Sequence, residues 1–254
     1  MKIFALSDIH SFYDEMMAAL NKQSFDINNQ DHQIVICGDL FDRGPDARKV
    51  LDFMKKMNSL NRLTYIRGNH ETLLLQCLLE VARGQGISYI HNNNCTTDTI
   101  TQITGVNRYD LSFKTFDLQK FSDSITELAD FIFDCAVDYA ELGSYIFVHG
   151  WIPCNPYSGK IEENWREGDW GSARWYNGMS AWNKGARLPE KTIVCGHFHT
   201  SWGHSHLHKD RKEFPQKNRK GWKKSFEPFI DDGIIALDAC TAYSGFCNCY
   251  VIEI

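Results

Sequence analysis

Ile34-Val35-Ile36-Cys37-Gly38-Asp39-Leu40-Phe41-Asp42-Arg43-Gly44 is the stretch on which the fold turns. A short apolar run, mostly β-branched, stops at a glycine and a carboxylate. A run bounded this way reads as a buried strand. The same punctuation recurs on both sides of it. The run at 3–6 ends in Asp8-Ile9-His10, and the run at 63–66 ends in Arg67-Gly68-Asn69-His70-Glu71. The run at 145–148 ends in His149-Gly150, and that at 193–195 in Gly196-His197-Phe198-His199. Two last runs, at 234–237 and 249–254, complete the series.

Helical spacing fills the gaps between the early strands. Residues 12–22 place Met16, Met17 and Leu20 on one face, with Ser11 as the expected N-cap. Residues 46–57 carry Val50, Leu51, Phe53, Met54 and Met57, and Pro45 suits the first turn. Residues 71–83 carry Leu74, Leu75, Leu78, Leu79 and Ala82, and residues 110–135 read as helical inserts. Strand, helix, strand, helix predicts an α/β fold whose sheet is covered on its faces.

The 254 residues are enough for one α/β domain with a large core. A hydrophobic share of 43% excludes disorder, and a net charge of −5 argues against a surface tuned to nucleic acid. The nine cysteines are odd in number and form no CxxC pair. They read as small buried hydrophobes in a reducing compartment rather than as a disulfide framework. The first apolar stretch is too short for a signal peptide, and no run reaches membrane-spanning length. A soluble, cytoplasmic protein without a membrane partner is expected. Residues 204–224 concentrate His204, His206, His208, Lys209, Arg211, Lys212, Lys217, Arg219, Lys220, Lys223 and Lys224. They read as a basic, solvated loop inserted between late strands. The three alternating histidines are expected to be exposed loop residues rather than a further metal site.

Every polar cluster follows a strand, and the carboxyl ends of strands are where open α/β sheets bind ligands. The clusters supply Asp8, His10, Asp39, Asn69, His149, His197 and His199. Mixed oxygen and imidazole donors suit Mn²⁺, Fe or Zn²⁺. In an extended segment Asp8 and His10 would point the same way and grip one ion. Asp39 has two oxygens and can bridge two ions. Asn69, His149 and His197 would complete the second. Two such ions about 3.5–4 Å apart polarise a phosphoryl oxygen and supply a nucleophile near neutral pH. His70 is the expected general acid, with Asp42 as the carboxylate that holds it. Arg43 is the expected clamp on phosphate oxygens.

Together these motifs resemble the calcineurin-like metallophosphoesterases. Gly38-Asp39-Leu40-Phe41-Asp42-Arg43-Gly44 and Arg67-Gly68-Asn69-His70-Glu71 resemble the Ser/Thr phosphoprotein phosphatase branch, which includes symmetrical diadenosine tetraphosphatases. The resemblance runs from residue 8 to residue 199. It implies a four-layer sandwich of two mixed β-sheets flanked by helices, spanning 1–254 as a single domain. It implies Asp8, His10 and Asp39 on one metal and Asp39, Asn69, His149 and His197 on the other, with Mn²⁺ as a common activator. It implies His70 with Asp42 as the acid pair and Arg43 as a phosphate ligand. Asn69 and a second arginine, best matched by Arg174, would also face the substrate. The sequence departs from the pattern at Ser11 and Trp151, where glycines are usual, and at His199, a second histidine that broader members place on the first metal. The activity implied is that of a phosphomonoesterase of the Ser/Thr protein phosphatase type. The alternative is a dinucleoside polyphosphate (diadenosine tetraphosphate) hydrolase. The expected partner is accordingly a phosphoprotein or a nucleotide polyphosphate.

Overall fold

The structure, a computed structural model, describes residues 1–111 and 118–254. The expected inserts at 110–135 fall partly outside these residues. The first half alternates strand and helix: β1 (Lys2–Leu6), α1 (Tyr13–Lys22), β2 (His32–Cys37), α2 (Ala47–Ser59), β3 (Leu63–Ile66) and α3 (Asn69–Ala82). A helical block follows: α4 (Tyr89–Asn93), α5 (Thr96–Thr104), α6 (Arg108–Leu111) and α7 (Leu118–Cys135). The second half holds β4 (Ala136–Val137), β5 (Ala140–Leu142), β6 (Tyr145–Phe147), α8 (Trp170–Ala173), α9 (Gly178–Asn183) and β7 (Thr192–Cys195). It closes with α10 (Thr200–Gly203), β8 (Phe229–Asp231), β9 (Ile234–Ala236), α11 (Thr241–Ser244) and β10 (Cys249–Glu253).

Among the described residues the strands form two mixed sheets, ordered β10-β1-β2-β3-β4 and β5-β6-β7-β9-β8. β1, β2, β3 and β4 run parallel, and β10 closes the first sheet antiparallel to β1. β6, β7 and β9 run parallel, with β5 and β8 antiparallel at the edges. The strand pleat sorts side chains by layer. Ile3, Ala5, Val35, Cys37 and Ile66 meet Phe147, Val194, Ile235 and Leu237 between the sheets. Phe4, Leu6, Ile34, Ile36 and Tyr65 point the other way, onto α1, α2, α3, α5 and α7. Ile146, Ile193, Cys195, Ile234 and Ala236 face an outer layer containing Trp151, Trp170, Met179 and Trp182. Both faces of each sheet are therefore covered, which is why the strands read as continuous apolar runs. The expected four-layer sandwich stands.

Two local expectations fail for physical reasons, and one helical stretch was not anticipated. Ser11 does not cap α1. It sits in the left-handed region at φ 61, its hydroxyl has no partner, and Phe12 precedes the helix instead. Helices α4 and α5 arise from an Asn- and Thr-rich stretch of low helix propensity, held by burial of Thr96, Thr99, Ile100 and Ile103. The segment 204–224 is not a purely solvated loop. His204 is buried, and Phe214 and Trp222 pack with Phe226 and Tyr243. Among the described residues no cysteine is in a disulfide, and no helix is long and apolar enough to cross a membrane.

Candidate metal centre

The parallel strands of both sheets end at the same rim. Asp8 follows β1, Asp39 follows β2, Asn69 and His70 open α3 after β3, His149 follows β6, and His197 follows β7. Hydrogen bonds across the rim join the sheets. His149 Nδ1 lies 2.8 Å from the Cys37 carbonyl, and the His197 N–H donates to Asp8 Oδ2 at 2.9 Å.

Asp8, His10, Asp39, Asp42, Arg43 and His197 all have positive φ, between 50° and 73°. Each non-glycine residue held there costs on the order of 1–3 kcal/mol, and such residues gather at functional sites. The strain also corrects the extended alternation expected of Asp8 and His10. They reach the rim through tight turns, not through the pleat. A left-handed turn also sits at His197. His199 turns away, with Nδ1 2.9 Å from Ser201 Oγ and Nε2 3.5 Å from Glu213. Its ring packs on Phe198 and Phe214.

Gly68 explains why the turn into α3 is so tight. A Cβ there would overlap Asp39 and come within 2.7 Å of Glu71 Oε2. Glu71 is fully buried, and its carboxylate accepts the N–H groups of Gly68, Asp39 and Leu40 at 2.7, 2.9 and 2.8 Å. One side chain thus pins both the β2 and β3 loops. The His70 N–H in turn donates to Asp39 Oδ1 at 3.0 Å.

Among the described residues, donor atoms converge here in two groups that share Asp39. One is His10, Asp39 and His70; the other is Asp39, His149 and His197; the atoms of each lie within 4.8 Å of one another. Asn69 Oδ1 is 2.8 Å from His149 Nε2 and 2.9 Å from His197 Nδ1. Asp8 stands outside both groups. Its carboxylate is engaged by the Ser7 hydroxyl and the His197 N–H. His70, read from sequence as the acid, lies inside the first group. Its Nδ1 is 2.7 Å from Asp42 Oδ2, and its Nε2 is 3.9 Å from Asp39 Oδ2. Arg43 bridges the first group from outside, with one nitrogen 3.1 Å from His10 Nε2 and another 3.0 Å from His70 Nε2. Arg174 is engaged by its own chain. It donates to Thr72 Oγ1 at 2.8 Å and to Asp138 Oδ1 at 2.6 Å.

The electrostatics point to a bound cation. His149 commits its Nδ1–H to the Cys37 carbonyl. Its Nε2 then faces Asn69 Oδ1 and, at 3.2 Å, Asp39 Oδ1. A neutral ring would set a lone pair against two oxygens, and a positive charge among them relieves this. Without an ion, His149 itself supplies that charge. Burial opposes its protonation, but the carboxylates of Asp39 and Asp8 raise its pKa to about 10. Burial also opposes ionisation of Asp39, and the imidazoles of His149, His70 and His10 outweigh it and hold its pKa well below the carboxylate range. His10 and His197 are kept neutral, the ligand form. Burial and the neighbouring cationic groups push His10 well down and His197 to about 4. His10 also has Nδ1 2.9 Å from the Phe41 carbonyl, which leaves Nε2 facing the centre. The donor set therefore fits divalent ions of the Mn²⁺, Fe and Zn²⁺ kind.

Four residues that contribute here have no role in the sequence reading. Asp238 follows β9 at the same rim and is buried, and burial raises its carboxyl to about 6. Its signal was present, since the run at 234–237 ends in it as the other runs end in theirs. Glu71 was visible as a motif residue without a role. Thr96 and Thr99 donate to Asp42 Oδ2 and Oδ1 at 3.1 and 2.7 Å. Nothing local marks two threonines far from Asp42 in the chain as its partners.

Known proteins agree with this picture. A family model described as calcineurin-like phosphoesterase matches residues 1–231. The asymmetrical bis(5'-nucleosyl)-tetraphosphatase of Bacillus velezensis is 29% identical over 113 residues, covering 42% of this chain and 44% of the relative. The symmetrical bis(5'-nucleosyl)-tetraphosphatase of Proteus mirabilis is 34% identical over 85 residues, covering 34% of this chain and 30% of the relative. The matched stretches thus span less than half the length of these curated relatives. The crystal structure of the cold-active protein-tyrosine phosphatase of a psychrophilic Shewanella species superposes with a TM-score of 0.54 at 17% identity. It covers 99% of this chain and 75% of that one, and this likeness shows the fold alone. With the match over residues 1–231 and two mixed sheets presenting their histidines and carboxylates at one rim, the chain belongs to the calcineurin-like phosphoesterase family.

Proposed function

We propose that the chain is a metal-dependent phosphoester hydrolase with a dinuclear centre, acting on a phosphate monoester as Ser/Thr protein phosphatases do. The observation that carries the reading is the sharing of Asp39 by two donor groups, the first of which includes His70 with its Nδ1 held by Asp42. His10, Asp39, Asn69, His149 and His197 would hold two divalent ions, Mn²⁺ first among them, and Asp8 would close the shell or position His197. When bound, the ions supply Lewis acidity toward the phosphoryl oxygens and a nucleophile near neutral pH.

The chain's own residues do the rest. Arg43 sits over the centre on the solvent side, where its planar fork can take two oxygens of a terminal phosphate. Binding phosphate there would free His70 Nε2 from the guanidinium. Asp42 holds the His70 Nδ1 proton, so Nε2 can carry a second proton and pass it to the leaving oxygen. Burial lowers the pKa of His70, but Asp39 and Asp42 together raise it above its ordinary value, which keeps that proton available near neutrality. Glu71 holds both loops at fixed spacing and touches no substrate. His199 and Arg174 are left out of the reacting set.

A second reading is hydrolysis of a dinucleoside polyphosphate. Trp175 is 48% exposed, and its ring lies 5.9 Å from that of His197. An exposed indole beside a phosphate site can stack on a nucleobase. The test is a Mn²⁺-dependent hydrolysis panel run with wild type and Asp39→Asn. It would compare p-nitrophenyl phosphate, its bis ester, phosphopeptides and diadenosine tetraphosphate. Preference for monoester and phosphopeptide supports the first reading, and preference for the dinucleotide supports the second. Metal-independent rates, or full activity in Asp39→Asn, would overturn both.

A further inference from the structure

A second histidine cluster lies outside the rim. After α10 the chain widens into a π-helical turn, His204–His208, a form often associated with functional sites. The turn brings the rings of His204 and His208 to the same side, with centroids 5.9 Å apart. Lys209 then adopts the left-handed region at φ 57, and the Asp210 N–H donates back to the His204 carbonyl at 3.2 Å. This reversal sets the Asp210 carboxylate against the two rings. Donor atoms of His204, His208 and Asp210 lie within 4.8 Å of one another.

The hydrogen bonding leaves an opening where an ion would sit. His204 is only 4% exposed. Its Nε2 lies 3.2 Å from the Glu227 carbonyl, so Nε2 carries the hydrogen and donates it. Its Nδ1 is buried, has no hydrogen-bond partner, and faces Asp210 Oδ1 at 3.6 Å. A bare imidazole lone pair therefore points at a carboxylate oxygen beyond hydrogen-bond distance. The rings also carry the backing that ligating histidines usually have. The Glu227 carbonyl stands behind His204, and Asp231 Oδ2 stands 2.9 Å from His208 Nε2.

We propose that His204, His208 and Asp210 form a third metal site, for a borderline divalent ion of the Zn²⁺ class, separate from the rim. Two imidazoles and one carboxylate leave a tetrahedral position for water. The ion would tie the π-helical turn and the start of the basic segment to β8 through Asp231. That segment contacts His199, two residues beyond the donor His197, through Glu213 and Phe214. The site is thus a tether for the wall beside the candidate centre, not a part of the reacting set.

The test uses the full chain, stripped with chelator and titrated with Zn²⁺, with bound metal counted by mass spectrometry after equilibrium dialysis. His208→Gln and Asp210→Asn alter exposed side chains, and near-ultraviolet circular dichroism checks that each still folds. Each variant is expected to bind one equivalent fewer than wild type, whatever the rim takes. Its affinity for that equivalent should fall by more than the about 10- to 100-fold that loss of an outer partner costs. Co²⁺ loading should give wild type a visible-band component that both variants lack. The same metal count and the same Co²⁺ spectrum in wild type and both variants would overturn the site and leave plain ion pairs.

Discussion

At the scale of single residues, the rim is a set of strained turns held by a few buried carboxylates. Asp39 illustrates the logic. Its backbone sits at φ 52, its N–H is held by Glu71, and one of its oxygens takes the His70 N–H. The residue is over-determined, so its carboxylate has one place to point. His70 is the residue whose role geometry leaves between ligand and acid, because its Nε2 faces the first donor group while Nδ1 is bound to Asp42. Chemistry separates the two roles. If His70 is the acid, His70→Asn should lower kcat about 10²- to 10⁴-fold for an alkyl phosphate. The loss should be far smaller for p-nitrophenyl phosphate, whose leaving group needs no proton. Equal losses on both substrates, together with a lower metal content, would place His70 among the ligands instead.

At the scale of elements, strand ends deliver the donors and an inserted helix steadies them. α5 lies beneath the Asp42 loop. Thr99 donates to Asp42 Oδ1 and accepts the Asp42 N–H at 2.9 Å, and Gln102 bonds Gly44 and Ala47. Asp42 is buried, so it depends on these partners. Thr99→Val removes a hydrogen bond to a charged group, worth about 1.5–3 kcal/mol. The expected result is a lower midpoint in urea and a lower kcat, with metal stoichiometry unchanged. An unaltered kcat would show that Thr96 and His70 suffice to orient Asp42. α2 plays the plainer structural part. Val50, Leu51, Met54 and Met57 bury one face completely against the first sheet, and each such side chain contributes on the order of 1.5–3 kcal/mol.

At the scale of the whole molecule, the site exists because two sheets close on each other. The aliphatic layer between them brings the carboxyl ends of β1, β2 and β3 against those of β6, β7 and β9. Charge is then concentrated where water is excluded, and stability becomes linked to pH. His149 has an ordinary value of 6.5 and a folded value of about 10 in the ion-free chain. Its contribution is complete below about 6.5 and is lost as pH rises through about 10. His197 is shifted the other way, from 6.5 to about 4. Between those values the unfolded chain binds the extra proton, so stability falls as pH drops from about 6.5 toward about 4. The ion-free protein should therefore show a thermal midpoint that peaks near neutrality. Saturating Mn²⁺ should flatten the alkaline side, because a ligated His149 has no proton to lose. An alkaline side that is the same with and without Mn²⁺ would argue against His149 as a ligand.

Local sequence determined the strands, the early helices and most of the donors. Apolar runs that stop at glycine or a polar residue encode a buried strand and a polar residue at its carboxyl end together, and the rim positions of Asp39, Asn69, His70, His149 and His197 were legible for that reason. Asp238 was equally legible by the same rule. Only the tertiary structure decided which donors meet. Left-handed turns stand at His10 and His197, His199 lies away from the rim, and His70 joins the first donor group. Partners of Asp42 came from α5, about fifty residues away in the chain, through contacts that no local period records. The unpaired His204 nitrogen likewise depends on a carbonyl from Glu227 and a reversal at Lys209. Backbone pattern is written in neighbours along the chain, whereas coordination and hydrogen bonding are settled by neighbours in space.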